Sequence, residues 1–121
     1  MPFYNRLYDF QKESLSWGIN RHGRLLLADE MGVGKTIQSL AIVMMFRHEW
    51  PFLVICPSSL RFNWQQEILN WMDGFVAKNE IQLYAKGGTP ISLKAKVVII
   101  SYDLAWKMID MVDHFKVAIA D

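Results

Sequence analysis

The sequence predicts an α/β fold in which helices flank a parallel β-sheet. Short apolar runs recur along the chain without polar alternation, which is typical of strands that are buried on both faces. Longer segments with helical periodicity separate these runs, and strands that alternate with helices form parallel sheets with right-handed crossovers. The hydrophobic share of 52% is sufficient for a packed core and argues against disorder.

Length, charge and cysteine content limit the possible classes of protein. With 121 residues, the chain forms at most one small domain. Its 13 basic and 12 acidic side chains give a formal net charge of +1, so nucleic acid would have to bind at a local patch or elsewhere in a larger protein. Cys56 lies in an apolar run and is predicted to be a core residue in a reducing compartment. Without a signal peptide or an apolar run of about 18 residues, we predict a soluble, intracellular protein with no membrane span.

The first predicted helix covers residues 9–21, with Asp9 as its N-cap and Gly23 near its end. Residues 24–28 then predict a buried strand, because Leu25-Leu26-Leu27-Ala28 form an apolar run. A turn over residues 29–36, with the sequence DEMGVGKT, joins this strand to the next helix. A strand, a glycine-bearing turn and a helix in this order are typical of a phosphate-binding loop.

The residue types of this turn suit a nucleotide. Its glycines let backbone N–H groups approach phosphate oxygens, and the N-terminus of the helix adds its positive end. We expect Lys35 to reach the β- and γ-phosphates and the Thr36 hydroxyl to bind Mg²⁺. The predicted nucleotide-binding residues of the turn are Gly32, Val33, Gly34, Lys35 and Thr36.

One position departs from the general pattern G-x-x-x-x-G-K-[ST], which requires glycine where this chain has Asp29. The alternative interpretation is an ordinary strand–helix turn with a surface lysine. Because a predicted strand precedes this turn and a predicted helix follows it, as in phosphate-binding loops, we favour nucleotide binding.

The next helix, over residues 35–47, is apolar on almost every side, which predicts burial against the sheet. Residues 52–56 follow as an unbroken apolar strand. A helix over residues 60–71 comes next, and Ser58 or Ser59 can cap its N-terminus. Its predicted apolar face consists of Leu60, Trp64, Ile68 and Trp71.

Residues 81–84 and 97–100 predict two further strands, which a glycine-containing loop joins. A helix over residues 102–112 follows, and residues 117–120 form the last strand. In parallel sheets, ligands bind beyond the carboxyl ends of the strands. Four segments lie at such ends: the phosphate-binding turn, Pro57-Ser58-Ser59, Ser101-Tyr102 and Asp121.

In this order, the motifs resemble the first RecA-like lobe of superfamily-two helicase-type ATPases, and more narrowly that of the SWI/SNF-type DNA translocases. Residues 29–38 are similar to motif I of that family, whose pattern includes the aspartate at this position. Residues 7–11, with Leu7, Phe10 and Gln11, look like the Q motif. By this resemblance, Gln11 hydrogen-bonds adenine, which implies a preference for ATP over GTP.

Two further segments resemble elements that contact DNA in this family. Residues 53–60, followed by Trp64 and Glu67, resemble motif Ia, and residues 99–102 resemble motif Ib or Ic. The implied contacts are with the sugar–phosphate backbone, which backbone N–H groups and hydroxyls can bind. Helix capping explains the serines equally well. The implied DNA-binding residues are Pro57, Ser58, Ser59, Ser101 and Tyr102.

The last strand and Asp121 resemble motif II, the Walker B element. There the first aspartate orients Mg²⁺, and the glutamate after it polarises the attacking water. The resemblance therefore implies catalytic roles for Lys35 and Asp121, and metal binding by Thr36 and Asp121. Residues 57–61 and the segments that lead into the strands at 52–56 and 117–120 resemble the annealing-helicase branch, whose members rewind DNA strands in the nucleus.

The resemblance covers residues 7–121 and implies that 1–121 is an incomplete, truncated helicase ATP-binding domain, which stops at the first residue of motif II. Motif III and a second RecA-like lobe, with its arginine finger, would follow. The family's sheet also places a later strand between the first and last strands seen here, so we expect a gap with unpaired backbone groups. We therefore expect the isolated chain to be marginally folded or to need a partner, and to have no ATPase activity.

Two functions of different classes fit the sequence. One is the ATP-binding part of an ATP-dependent DNA translocase, annealing helicase or chromatin-remodelling-type ATPase. This interpretation implies ATP, Mg²⁺, DNA and a second RecA-like lobe as ligands and partners. The other is a non-catalytic ATP-binding or interaction module derived from such an enzyme. A small P-loop kinase is a weaker third interpretation, because it would require lid and substrate-binding arginines.

Overall fold

The computed structural model describes residues 24–27, 35–112 and 114–121, with side chains for residues 36–112 and 114–121. The helix predicted over residues 9–21, Gln11 and the glycines of the phosphate-binding turn lie outside the described residues.

A parallel sheet forms the centre of the described structure. Its five strands are β1 (Arg24–Leu27), β2 (Phe52–Cys56), β3 (Ile81–Tyr84), β4 (Val97–Ser101) and β5 (Val117–Ala120). They lie in the order β1-β5-β2-β4-β3, and all neighbouring pairs are parallel. The predicted α/β class with a parallel sheet is therefore confirmed, and β2, β3 and β5 have the predicted bounds.

Helices connect these strands. In the part of the chain that the structure describes, they are α1 (Lys35–Met45), α2 (Arg61–Trp71), α3 (Tyr102–Lys107) and α4 (Ile109–Val112). Short 3₁₀ turns lie at Arg47–Glu49, Ser58–Leu60 and Lys78–Glu80. The helix predicted over residues 102–112 is divided at Met108, whose φ of −113° and ψ of 38° are not helical. None of the described helices is long and apolar enough to cross a membrane.

The core consists of two layers, one on each face of the sheet. Phe52, Val54 and Cys56 of β2 pack in a cluster that includes residues of α1 and α2. Leu53 and Ile55 pack in a second cluster with residues of α3 and α4. Because successive residues of a strand point to opposite faces, helices on both sides bury the whole of β2, and none of its residues is more than 1% exposed.

The gap that we predicted between the first and last strands is not present. β1 and β5 are direct neighbours, with Arg24 opposite Val117 and Leu27 opposite Ala120. The backbone groups that a missing strand would leave unpaired thus have partners, and this prediction was wrong. Strand order is set by long-range pairing, which a resemblance between motifs does not determine.

α1 is less buried than its apolar sequence predicts. Leu40 and Val43 are 2% and 0% exposed, whereas Ile37 and Met45 are 43% and 71% exposed. The helix therefore packs on the core by one face, and the prediction of burial holds only for that face.

Candidate functional site

Three of the predicted site segments meet at the carboxyl edge of the sheet. Cys56, the last residue of β2, is opposite Ser101, the last residue of β4. Pro57 follows Cys56 directly, and Asp121 follows β5. The backbone N–H of Asp121 donates to the carbonyl of Ile55 over 2.8 Å. Parallel pairing therefore brings the three strand ends together, as predicted.

Two buried side chains hold Asp121 from neighbouring elements. The indole N–H of Trp64, in α2, donates to its carboxylate Oδ2 over 2.8 Å. The hydroxyl of Tyr102, the first residue of α3, donates to its main-chain carbonyl, also over 2.8 Å. Trp64 and Tyr102 are each 3% exposed. Both the carboxylate and the main chain of Asp121 are thus fixed by donors that water does not replace easily.

A cleft of about 180 Å³ lies next to Asp121. Thr36, the second residue of α1, lines this cleft together with Asp121. The two residues that were predicted to bind Mg²⁺ therefore lie in one cleft, although they come from opposite ends of the described chain. The other lining residues are Leu60, Asn63, Trp64 and Glu67.

The oxygen donors of this cleft fit Mg²⁺. The hydroxyl of Thr36 and the carboxylate of Asp121 are hard ligands, and Mg²⁺ is commonly bound by one or two carboxylates together with water and phosphate oxygens. Among the described residues, no group of three or more His, Cys, Asp or Glu side chains could hold a metal ion. The cleft therefore suits a cation that binds together with a phosphate group.

The start of α1 connects this cleft to the phosphate-binding turn. Lys35 is the first residue of this 11-residue helix, and Thr36 is the second. A helix N-terminus presents free N–H groups and a positive dipole end, which favour phosphate. The side chain of Lys35 and the residues Gly32 to Gly34 lie outside what the structure describes, so their contacts with nucleotide remain a prediction.

Ser58 and Ser59 lie exposed in the 3₁₀ turn before α2. The N-cap positions of the turn and of the helix are Pro57 and Leu60, and neither makes a side-chain capping bond. The prediction that one of the two serines caps this helix was therefore wrong. Their hydroxyls are at the carboxyl edge of the sheet, and DNA binding by Pro57, Ser58 and Ser59 remains a prediction.

Ser101 and Tyr102 have structural roles at the same edge. The Oγ of Ser101 accepts a hydrogen bond from the N–H of Leu104 over 3.3 Å, so Ser101 caps α3 as the alternative interpretation proposed. Tyr102 is buried, and its hydroxyl bonds to Asp121. Contact of these two residues with DNA stays a prediction.

Cys56 lies directly below this edge and is fully buried. Burial, together with the negative charge of Asp121, raises the pKa of its thiol to about 12, although the positive charge of Arg61 acts in the opposite direction. The thiol is therefore neutral at physiological pH, which fits its predicted role as a core residue and makes it a poor nucleophile.

A larger cleft, of about 630 Å³, lies at the opposite edge of the sheet. It is next to the segments that lead into β2 and β5, as its lining by Trp50, Pro51, Phe115 and Lys116 shows. In parallel α/β sheets, ligands bind at the carboxyl edge. We therefore place the candidate site in the smaller cleft, which is lined by Thr36 and Asp121.

Four lining residues of the smaller cleft were not among the predicted site residues: Leu60, Asn63, Trp64 and Glu67. Leu60, Trp64 and Glu67 entered the sequence analysis only as part of the segment that resembles motif Ia. Glu67 is four residues after Asn63 and three after Trp64, so the three side chains lie on one side of α2. This spacing was the feature of the sequence that could have grouped them. Whether that side faces Asp121 depends on how α2 packs, and only the fold shows this.

A family model described as SNF2-related domain matches residues 10–120. The chain belongs to the SNF2-related family. The chain is similar to the SWI/SNF-related matrix-associated actin-dependent regulator of chromatin subfamily A-like protein 1 of Xenopus laevis, with 40% identity over 116 residues and 95% of the chain covered. It is also similar to the DNA annealing helicase and endonuclease ZRANB3 of Homo sapiens, with 36% identity over 122 residues and 96% of the chain covered.

The chain spans a small part of these relatives' lengths, 12% of the Xenopus laevis protein and 11% of the human one. The family match confirms the resemblance to SWI/SNF-type ATPases, and it decides against a small P-loop kinase. SNF2-related proteins are a family of ATP-dependent helicases and remodellers. The names of the relatives agree with the predicted annealing-helicase branch.

Proposed function

We propose that this chain is the ATP-binding part of an ATP-dependent DNA translocase of the annealing-helicase or chromatin-remodelling type. The observation that carries the proposal is the cleft that Thr36 and Asp121 share. In P-loop ATPases, a threonine or serine of the phosphate-binding loop and an aspartate of the Walker B strand hold Mg²⁺. Thr36 and Asp121 have these positions on α1 and after β5.

The proposed nucleotide lies between the start of α1 and the end of β5. Backbone N–H groups of residues 32–34 bind the phosphates, and Lys35 binds the β- and γ-phosphates. Thr36 and Asp121 supply oxygen ligands for the cation, while Gln11 selects adenine. Bound Mg²⁺ neutralises the negative charge that develops on the phosphates during transfer.

The proposed DNA contact lies on the same edge of the sheet. The exposed hydroxyls of Ser58 and Ser59, and the backbone N–H groups around them, suit the sugar–phosphate backbone. The capped start of α3 at Ser101 and Tyr102 is the second proposed contact. The names of the relatives, which include a DNA annealing helicase and a regulator of chromatin, support action on DNA in the nucleus.

Hydrolysis in this proposal requires a second RecA-like lobe. The described lining residues of the cleft include no arginine or lysine that could stabilise the charge of the transition state. We propose that an arginine of this second lobe completes the site. We propose accordingly that residues 1–121 alone bind ATP without hydrolysing it.

Thermal unfolding of the purified chain, followed by circular dichroism with and without Mg-ATP, tests nucleotide binding. A ligand at 100 times its Kd stabilises the folded state by about 2.7 kcal/mol, so the melting temperature should rise with nucleotide. The rise should disappear in Lys35→Ala. It should persist in Lys86→Ala, which removes an exposed lysine from the loop after β3.

A cooperative transition that Mg-ATP does not shift would contradict ATP binding by this chain. ATP hydrolysis by the full-length protein, measured with and without duplex DNA, then separates the two interpretations of the sequence. DNA-stimulated hydrolysis supports the translocase, whereas binding without hydrolysis supports a non-catalytic module.

A further inference from the structure

The hydrogen bond from Trp64 to Asp121 has features that packing alone does not require. The indole N–H is the single polar group of the tryptophan side chain, and it can only donate. It donates to Oδ2 of Asp121 over 2.8 Å, and the ring is 3% exposed. A buried N–H that lost this partner would remain unpaired, so the bond fixes both the ring and the carboxylate.

The two ends of this bond lie in different environments. Trp64 packs in the core cluster on the α1 and α2 face of the sheet, together with Ile68 of the same helix. Asp121 lies at the cleft that Thr36 also lines. The torsion that rotates a carboxylate group about its last bond is broad, so a carboxylate without a fixed partner samples many orientations. The bond from Trp64 joins the carboxylate of Asp121 to a rigid part of the core.

A second tryptophan of α2 shows the contrast. Trp71 is 56% exposed, and its indole N–H donates to Oε2 of Glu67 over 3.1 Å. Trp71 lies about two helical turns after Trp64. Its bond to Glu67 is at the surface, where water can replace either partner. The two tryptophans thus make the same kind of bond. Glu67 also lines the cleft, but only the bond of Trp64 ends on one of the two proposed metal ligands, Thr36 and Asp121.

We propose that Trp64 is a positioning residue, which orients the Asp121 carboxylate for the divalent cation that binds with nucleotide phosphate. This inference rests on the proposed function. Residues that hydrogen-bond a metal-ligating group, and so orient it, contribute to metal affinity. Their loss typically weakens metal binding by about 10–100-fold. Trp64 acts on the cation through Asp121 and does not touch the nucleotide.

The test measures nucleotide and metal affinity separately in the full-length protein. Trp64→Phe keeps an aromatic ring but removes the N–H, and Trp71→Phe is the matched control on the same helix. The Kd for ATP is measured in EDTA, and the Kd for Mg²⁺ is measured at saturating ATP. We expect Trp64→Phe to raise the Kd for Mg²⁺ by about 10-fold or more while the Kd for ATP in EDTA stays unchanged. Trp71→Phe should leave both values at those of the wild type.

Several outcomes overturn the inference. An unchanged Kd for Mg²⁺ in Trp64→Phe would show that the indole N–H does not orient the metal ligand. A parallel loss of ATP affinity in EDTA would show a purely structural role. The proposed function itself fails in a different way, because the wild-type protein would then bind neither ATP nor Mg-ATP.

A second measurement decides the question if Trp64→Phe does not fold. Wild-type protein labelled with fluorotryptophan is titrated with Mg²⁺ in the presence of ATP, and the fluorine resonances are assigned by substitution of the other tryptophans. The resonance of Trp64 should shift on addition of Mg²⁺, and that of Trp71 should not. If the Trp64 resonance does not shift on addition of Mg²⁺ while ATP is bound, the positioning role is overturned.

Discussion

The hydroxyl of Tyr102 donates a 2.8 Å hydrogen bond to the main-chain carbonyl of Asp121. This bond joins the first residue of α3 to the residue that follows β5. In the proposed function, Tyr102 belongs to a DNA-facing segment and Asp121 to the metal site. The two segments are therefore in direct contact, 19 residues apart in sequence.

Removal of this hydroxyl should destabilise the protein measurably. In Tyr102→Phe, the carbonyl of Asp121 loses a buried donor, and we expect the free energy of unfolding to fall by about 1 kcal/mol. Urea denaturation measures this change. Tyr84→Phe is the matched control, because Tyr84 is equally buried and its hydroxyl has no hydrogen-bond partner among the described residues. Equal losses in both variants would show that the bond to Asp121 contributes nothing.

The exposed serines should affect DNA binding without affecting stability. Ser58 and Ser59 make no capping bond, so their joint replacement by alanine should change the free energy of unfolding by less than about 0.5 kcal/mol. Loss of hydrogen bonds to phosphate should weaken DNA binding by about 2–10-fold, measured by fluorescence anisotropy with labelled duplex. Ser92→Ala, in the segment before β4, is the control. DNA affinity equal to that of the control would exclude the two hydroxyls from the DNA contact.

The Cys56 thiol should make stability depend on pH in alkaline solution. Its pKa rises from 9.0 to about 12 on folding, because burial and Asp121 disfavour the thiolate. Below pH 9 the thiol is protonated in both states, so it adds no pH dependence. Between pH 9 and 12 the unfolded chain loses the proton first, so stability falls by up to about 1.4 kcal/mol per pH unit.

Urea denaturation at pH 8 and at pH 10.5, on wild type and Cys56→Ala, checks this effect. The wild type should lose more stability between these two values than the variant does. An identical loss in both proteins would show that the thiol ionises as readily in the folded state as in the unfolded chain.

Local sequence patterns were sufficient for most elements of the fold. Unbroken apolar runs gave the bounds of β2 and β5, because strands that are covered on both faces carry no polar alternation. The break of the last helical segment at Met108 had no signal, since neither glycine nor proline is present there. The pairing of β1 with β5 was also not predictable, because it joins the two ends of the described chain.

The site shows the same division between local and long-range information. The position of Asp121 was predictable, because it directly follows an apolar strand and is a residue type with specific chemistry. Trp64 was recognised as an apolar residue at helical spacing and as part of the motif Ia resemblance, and neither observation predicted its bond to Asp121. Its bond to Asp121 spans 57 residues in sequence and depends on the packing of α2 against the end of β5.

The measurement that tests the central claim most directly is a double-mutant cycle on Mg²⁺-dependent ATP binding. In the full-length protein, the Kd for ATP is measured with and without Mg²⁺ for Thr36→Val, Asp121→Asn and the double variant. Asp103→Asn, at an exposed position of α3, is the control.

If Thr36 and Asp121 hold one cation, each single variant should lose the gain in ATP affinity that Mg²⁺ provides. The double variant should then lose little more, with a coupling energy above about 0.5 kcal/mol. A gain from Mg²⁺ that persists in either single variant, or losses that simply add, would contradict a shared metal site at the carboxyl edge of this sheet.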